Sequence, residues 1–144
     1  MGGELRVEGT ENQGPETRDE RPISIDHVQI TIPIGQEQIA RAFYCGVLGL
    51  TEIEKPGALK ERGGLWLEVG GQQLHIGVEG GIDRTSSKAH VAYRVQDLGH
   101  WRAKLEHAGC LILDSVPIPH HDRFETRDPF GNRIELIASR ESDR

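Results

Sequence analysis

The sequence has few cysteines, few aromatic residues and no long apolar run, and each shortage excludes a class of protein. Its 144 residues include two cysteines, and aromatic residues make up 5% of the chain. Cys45 and Cys110 have the spacing of neither a zinc site nor a disulfide framework. We therefore expect free thiols in a reducing, cytoplasmic compartment. No apolar run approaches the length of a membrane span, and no signal peptide is evident.

Positive charge is also in short supply. The formal net charge is −6, which argues against a partner made of nucleic acid and against a polybasic membrane-surface protein. What the chain does have is 35% hydrophobic residues. At this length, that is enough to bury the core of one domain.

The first 22 residues differ in composition from the rest of the chain. They contain six acidic and three basic residues and almost no apolar residue after Val7. Such a segment cannot bury enough surface to offset the entropy lost on ordering. We predict a disordered tail over residues 1–22, a folded domain over residues 23–138 and a short C-terminal tail over residues 139–144.

A turn and a strand close the predicted domain. Asp128-Pro129 favours a turn because proline fixes φ, and Gly131-Asn132 supplies residues that tolerate positive φ. The strand that follows alternates, with Ile134 and Leu136 on one face. Since side chains alternate along a strand, Glu135 points away from the apolar face.

The domain divides into two halves with the same predicted order of elements. Residues 23–79 alternate like a strand, then show helical spacing, then three further strands. Residues 88–138 repeat the order, with Asp97 as a candidate cap for the second helix. The sequence therefore predicts an α+β fold made of two βαβββ modules, joined by a flexible connector over residues 80–87.

Four titratable residues occupy equivalent strands in the two halves: His27, His75, His90 and Glu135. His90 follows His27 by 63 residues, and Glu135 follows His75 by 60. A single histidine on a polar strand face is usually a surface residue, but four such positions paired by an internal repeat indicate a site. Imidazole and carboxylate suit divalent transition metals, and two histidines with one carboxylate form a catalytic set.

These segments together resemble the vicinal oxygen chelate superfamily, which includes lactoylglutathione lyases, extradiol dioxygenases, and fosfomycin and bleomycin resistance proteins. The resemblance spans residues 23–138. It is carried by five segments: Asp26-His27-Val28, Ala42-Phe43-Tyr44-Cys45-Gly46-Val47-Leu48-Gly49-Leu50, Leu74-His75-Ile76, Ala89-His90-Val91 and Asp128-Pro129-Phe130-Gly131-Asn132-Arg133-Ile134-Glu135.

The resemblance implies a curved, cup-like mixed sheet with helices outside and a metal on the concave face. Its ligands would be His27, His75, His90 and Glu135, and the ion would be Fe, Mn, Ni, Co or Zn. It also implies a homodimer, with no indication of whether one chain or two build each site. The expected activity is proton transfer of the lyase or isomerase type on a small oxygen-bearing substrate, with Glu135 or a metal-bound water moving the proton.

Two other functions remain open. An extradiol-type dioxygenase would use His27, His90 and Glu135, and a binding or antibiotic-resistance protein would hold a small molecule without turnover. In each case strand parity predicts that Trp66, Glu68, Arg123 and Glu125 line the cup. Arg123 could bind an anionic substrate group with two parallel hydrogen bonds, or it could pair with a neighbouring carboxylate.

Overall fold

A computed structural model describes residue 18 and residues 20–140. The predicted N-terminal tail therefore lies almost entirely outside the described residues, as do the last four residues of the C-terminal tail. Within the described part, no helix is long and apolar enough to cross a membrane.

The first module is a four-stranded sheet covered by one helix. Strand β1 runs parallel to β4, and β4, β3 and β2 are antiparallel neighbours, so the sheet order is β1-β4-β3-β2. The elements are β1 (His27–Ile32), α1 (Glu37–Arg41) continued by a π-helical segment (Ala42–Val47), β2 (Thr51–Ile53), β3 (Leu65–Val69) and β4 (Gln72–Val78).

The second module repeats this topology with the order β5-β8-β7-β6. Its elements are β5 (His90–Arg94), α2 (Leu98–His107), β6 (Leu113–Asp114), β7 (His121–Arg127) and β8 (Arg133–Ser139). Strands β5 and β8 are parallel, as β1 and β4 are. The predicted α+β fold of paired βαβββ modules with cup-like sheets is confirmed.

Alternation along the strands separates an apolar face from a polar one. Leu74 and Ile76 in β4, and Ile134 and Leu136 in β8, are almost completely buried in the core. This burial stabilises each sheet by roughly 1.5–3 kcal/mol per large side chain. It also fixes strand register, because a slip of one residue would expose the whole apolar set. The intervening residues consequently stay on the other face.

A buried hydrogen-bond network ties the two modules together. The Tyr44 hydroxyl, from the helix of the first module, donates to Asp128 Oδ2 at 2.7 Å. Asp128 Oδ1 accepts the backbone N–H groups of Phe130 and Asn132. Asn132 Nδ2 in turn donates to the Thr31 carbonyl oxygen at the end of β1, at 3.0 Å. The predicted turn thus exists and also joins the start of β8 to the first sheet.

Two connections between strands contain short 3-10 segments, and one of them is the connector that was predicted to be flexible. The connector over residues 80–87 includes a 3-10 turn, Arg84–Ser86. Its buried Arg84 donates through Nε to the Thr31 carbonyl oxygen at 2.7 Å. The loop between β2 and β3 contains a 3-10 helix, Gly57–Arg62.

Candidate metal centre

The four predicted ligands occupy equivalent rows of the two parallel strand pairs. In the first module His27 lies opposite Gln73, and His75 lies opposite Gln29 two rows further along. In the second module, His90 lies opposite Arg133 and Glu135 lies opposite Ala92, again two rows further along. The internal repeat seen in the sequence is therefore a repeat of strand register.

In the first module, the ligand candidates form a stack of three rings. The His75 ring is parallel to Trp66, with centroids 3.8 Å apart, and its other face contacts His27 at 4.0 Å. His75 is buried by these neighbours, whereas His27 keeps a partly exposed ring. Burial, followed by the nearby His27, lowers the pKa of His75 and favours its neutral imidazole.

Each of these histidines has one ring nitrogen committed to a hydrogen bond. His27 Nδ1 lies 2.8 Å from Asp26 Oδ1, a carboxylate contact that metal-bound histidines commonly make through the nitrogen that does not bind the ion. His75 Nε2 lies 2.8 Å from Gln73 Oε1. His27 can therefore present Nε2 to a metal. His75 can present Nδ1, and it could present Nε2 only if Gln73 moved.

The second module holds the histidine–carboxylate pair. His90 Nε2 lies 3.2 Å from Glu135 Oε1. His90 Nδ1 lies 2.9 Å from the Lys88 carbonyl oxygen. A carbonyl oxygen only accepts, so Nδ1 donates to it, and Nε2 is the ring nitrogen that faces the carboxylate. Arg123 Nη1 approaches the same Glu135 oxygen at 3.3 Å, so the buried carboxylate is not left without a cation.

These donors match the preferences of a divalent transition metal, but one chain supplies them as two separate pairs. Three imidazoles and one carboxylate are ligands for Fe, Mn, Ni, Co and Zn. Two of the histidines have the backbone or carboxylate partners that orient a ligand. Among residues 18 and 20–140, however, no three His, Cys, Asp or Glu side chains converge closely enough to hold a metal.

The four predicted substrate residues have different surroundings. Trp66 forms part of the ring stack, and Glu68 is exposed on β3 opposite Gln73. Arg123 also donates through Nε and Nη2 to the Val116 carbonyl oxygen.

The carboxylate of Glu125 is paired with Arg133, which the sequence reasoning did not single out. The hydrogen bond from Arg133 is the main cause that lowers the pKa of Glu125. Arg123 and Glu125 thus both have charged neighbours within the protein.

An open cavity of about 540 Å³ lies against the polar face of the first sheet. The ring stack forms part of its lining, through His27, His75 and Trp66. Lys55 and Arg62, from the loop between β2 and β3, line it as well. Sequence reasoning missed these two cations, because the segment has no periodicity to show which side chains turn inward.

Paired βαβββ modules with metal-binding residue types on the polar face of each sheet define a class of protein. The chain matches the family model of the Glyoxalase/Bleomycin resistance protein/Dioxygenase superfamily over residues 24–136. The chain belongs to this superfamily, which contains metal-dependent enzymes. No curated protein matches the sequence.

Solved structures of the same fold are similar to the chain. A glyoxalase family protein from Bacillus anthracis is 40% identical, covers 85% of this chain and 99% of its own, and gives a TM-score of 0.78. Lactoylglutathione lyase from Agrobacterium tumefaciens is 18% identical over 84% of this chain and 97% of its own, with a TM-score of 0.64.

The third structure is a mutant of the fosfomycin resistance protein FosX from Listeria monocytogenes. It is 14% identical to this chain and covers 86% of it and 98% of its own length, with a TM-score of 0.70. That protein was crystallised with Mn(II) and 1S,2S-dihydroxypropylphosphonic acid. At this identity the likeness shows the fold alone.

Proposed function

We propose that the protein is a divalent-metal-dependent enzyme that catalyses proton transfer, of the lyase or isomerase type, on a small substrate with chelating oxygens. The observation that carries the proposal is the matched register of the two ligand pairs, His27 with His75 and His90 with Glu135. Two modules of different sequence place metal-binding side chains on the same two rows of a parallel strand pair. Polar residues without a shared role would not be expected to occupy matching rows in both modules.

The chain's own residues have separable roles in this proposal. A bound metal would supply Lewis acidity to the substrate oxygens. Glu135 Oε1 is the site that accepts the substrate proton, and its burial brings that carboxylate into a desolvated environment. Arg123 Nη1, at 3.3 Å, keeps a positive charge beside the carboxylate. The Lys88 carbonyl holds the His90 ring in one tautomer.

We further propose that each metal centre combines His27 and His75 of one chain with His90 and Glu135 of a second chain. A single chain keeps the two pairs apart within its described residues, and members of the superfamily commonly form dimers. A two-fold axis would bring complementary half-sites together twice, giving two equivalent centres per dimer.

Metal content tests the proposed enzyme directly. Protein purified without chelator or histidine tag should carry near-stoichiometric Fe, Mn, Ni, Co or Zn, and His90→Ala should lose it. His107→Ala is the matched control, because His107 is an exposed histidine on α2. A wild-type protein that holds none of these metals, and whose melting temperature none of them raises, would refute the proposal.

Mixing two inactive variants tests whether the centre is shared. His27→Ala and Glu135→Ala proteins are unfolded together, refolded and assayed for bound metal. If the centre is shared, mixed dimers contain one intact site, and random pairing restores about a quarter of the wild-type metal content. If all four ligands belong to one chain, every site in the mixture carries a defect and no metal returns.

One observation favours a second candidate, an extradiol-type dioxygenase. His75 is clamped between two rings, and its Nε2 is occupied by Gln73. If the ring stack keeps His75 away from the ion, His27, His90 and Glu135 remain as a set of two histidines and one carboxylate, which leaves open positions for substrate and O₂. Consumption of O₂ with a catechol would support this candidate and displace the proton-transfer reaction.

A further inference from the structure

The cavity beside the ring stack is lined by cations as well as by aromatic rings. Its lining includes His27, His75 and Trp66, and also Lys55 and Arg62. Among the described residues that line it, none is acidic. The volume of about 540 Å³ falls within the range of small-molecule sites. A ligand that reaches the histidines would thus have two cations within the same cavity.

Among the described residues, neither cation forms a salt bridge with a carboxylate. Lys55 Nζ donates one hydrogen bond to the Gly63 carbonyl oxygen, which leaves two of its three N–H groups. Within the described part of the chain, Arg62 has no hydrogen-bond or salt-bridge partner. The nearby Glu37 carboxylate interacts with Lys55 electrostatically but not as a salt bridge, and its Oε2 accepts the Gly64 N–H at 2.9 Å.

The loop that carries the cations is fixed to the sheet at its end. Gly64 has φ +81°, and a Cβ there would lie 2.0 Å from the Ile76 carbonyl oxygen. The chain therefore passes directly over β4 at a point where no side chain fits. Gly63 is packed less tightly, since its Cβ would lie 3.0 Å from Glu37 Oε2 and 3.3 Å from a Val78 methyl group. This packing holds the 3-10 helix Gly57–Arg62 beside the cavity.

We propose that Lys55 and Arg62 form an anion subsite, and that the substrate is a small carboxylate or phosphonate with an oxygen next to the anionic group. The proposal deepens the metal enzyme proposed above and rests on it for the role of the oxygens. Arg62 offers a planar pair of donors to the anion, and Lys55 adds a second charge. Leu59 and Val78, which also line the cavity, accommodate a short apolar stem.

Fluorescence of Trp66 provides the test, because Trp66 lines the cavity and Trp101→Phe leaves it as the chain's sole tryptophan. Metal-free protein is titrated at fixed ionic strength with glycolate, hydroxymethylphosphonate and the neutral analogue glycolamide. We expect saturable quenching by at least one anion. Glycolamide should bind at least about tenfold more weakly, because charge-assisted hydrogen bonds are worth more than neutral ones. Which anion binds better distinguishes a carboxylate from a phosphonate substrate.

Three variants separate the subsite from general charge. Lys55→Gln and Arg62→Gln should each weaken anion binding about tenfold. Lys60→Gln, in the same 3-10 helix, should leave it unchanged, because Lys60 pairs with Glu54 outside the cavity.

The proposal is wrong if no anion gives saturable quenching, if glycolamide binds equally well, or if Lys60→Gln costs as much as Arg62→Gln. Metal content is measured separately on each protein. Loss of the subsite alone and loss of the metal centre alone are therefore distinguishable.

Discussion

Two buried tyrosines, one in each module, permit a matched test of the network that joins the modules. Tyr44 donates to Asp128 Oδ2 at 2.7 Å. The Tyr93 hydroxyl is also buried but has no hydrogen-bond partner among the described residues. Replacing each tyrosine by phenylalanine removes one hydroxyl and changes the packing little. We expect Tyr44→Phe to destabilise the protein and Tyr93→Phe to be neutral or stabilising.

The magnitude follows from what each hydroxyl touches. Without the Tyr44 hydroxyl, Asp128 Oδ2 keeps one hydrogen bond, from Asn132 Nδ2 at 2.8 Å. Losing a hydrogen bond to a buried carboxylate costs about 1.5–3 kcal/mol. For a domain of this size that lowers Tm by roughly 5–10 °C. Removing the unpaired Tyr93 hydroxyl instead removes a desolvation cost of about 1–2 kcal/mol.

Thermal and urea denaturation of the wild type and the two variants measure these differences. We expect that Tyr44→Phe lowers the free energy of unfolding and that Tyr93→Phe does not. Equal losses in the two variants would mean that ring packing, not the contact with Asp128, determines the cost. In that case the proposed tie between the modules would be wrong.

Three further predictions concern the loop, alkaline pH and assembly. Gly64→Ala should lower the free energy of unfolding by more than about 2 kcal/mol, because Gly64 has positive φ and an added Cβ would clash with a backbone oxygen. Gly57→Ala is the control and should change the free energy of unfolding little, because no atom lies near its Cβ position. Burial, then Asp128, raises the pKa of Tyr44 and Tyr93 above 10.0. The stability that their neutral forms contribute is therefore present below pH 10 and is lost as pH rises. Each tyrosine lowers the free energy of unfolding by about 1.4 kcal/mol per pH unit in that range. If Tyr44→Phe leaves this alkaline slope unchanged in a denaturation series, the prediction is wrong. Sedimentation should show a homodimer, and a species of only 16 kDa at tens of micromolar would refute it.

Much of the fold could be predicted because strand alternation is a local signal. The buried residues of β4 and β8 alternate with polar ones in the sequence itself, so the sheet faces of His75 and Glu135 were readable without a structure. The matching order of the two modules was readable for the same reason. Helix geometry was less accurate: the one helix predicted for the first module is α-helical only over Glu37–Arg41 and π-helical over Ala42–Val47.

Contacts between distant segments could not be predicted. The connector over residues 80–87 was expected to be flexible, yet Arg84 is buried because Thr31 and Glu79 offer oxygens that only the folded chain brings near it. The hydrogen bond from His75 to Gln73 depends on rotamers within β4, which parity does not specify. Pairing of Glu125 with Arg133 likewise depends on the register between β7 and β8.

The central claim is that His27, His75, His90 and Glu135 hold one metal ion between two copies of the chain. An anomalous difference map from crystals grown with Mn²⁺ tests it most directly. We expect one peak per chain, about 2.0–2.3 Å from a nitrogen of His90 and an oxygen of Glu135, and equally close to His27 of a second copy. A peak that leaves His75 out of bonding distance would favour the dioxygenase. No peak at these residues, or a peak elsewhere, would contradict a shared metal centre.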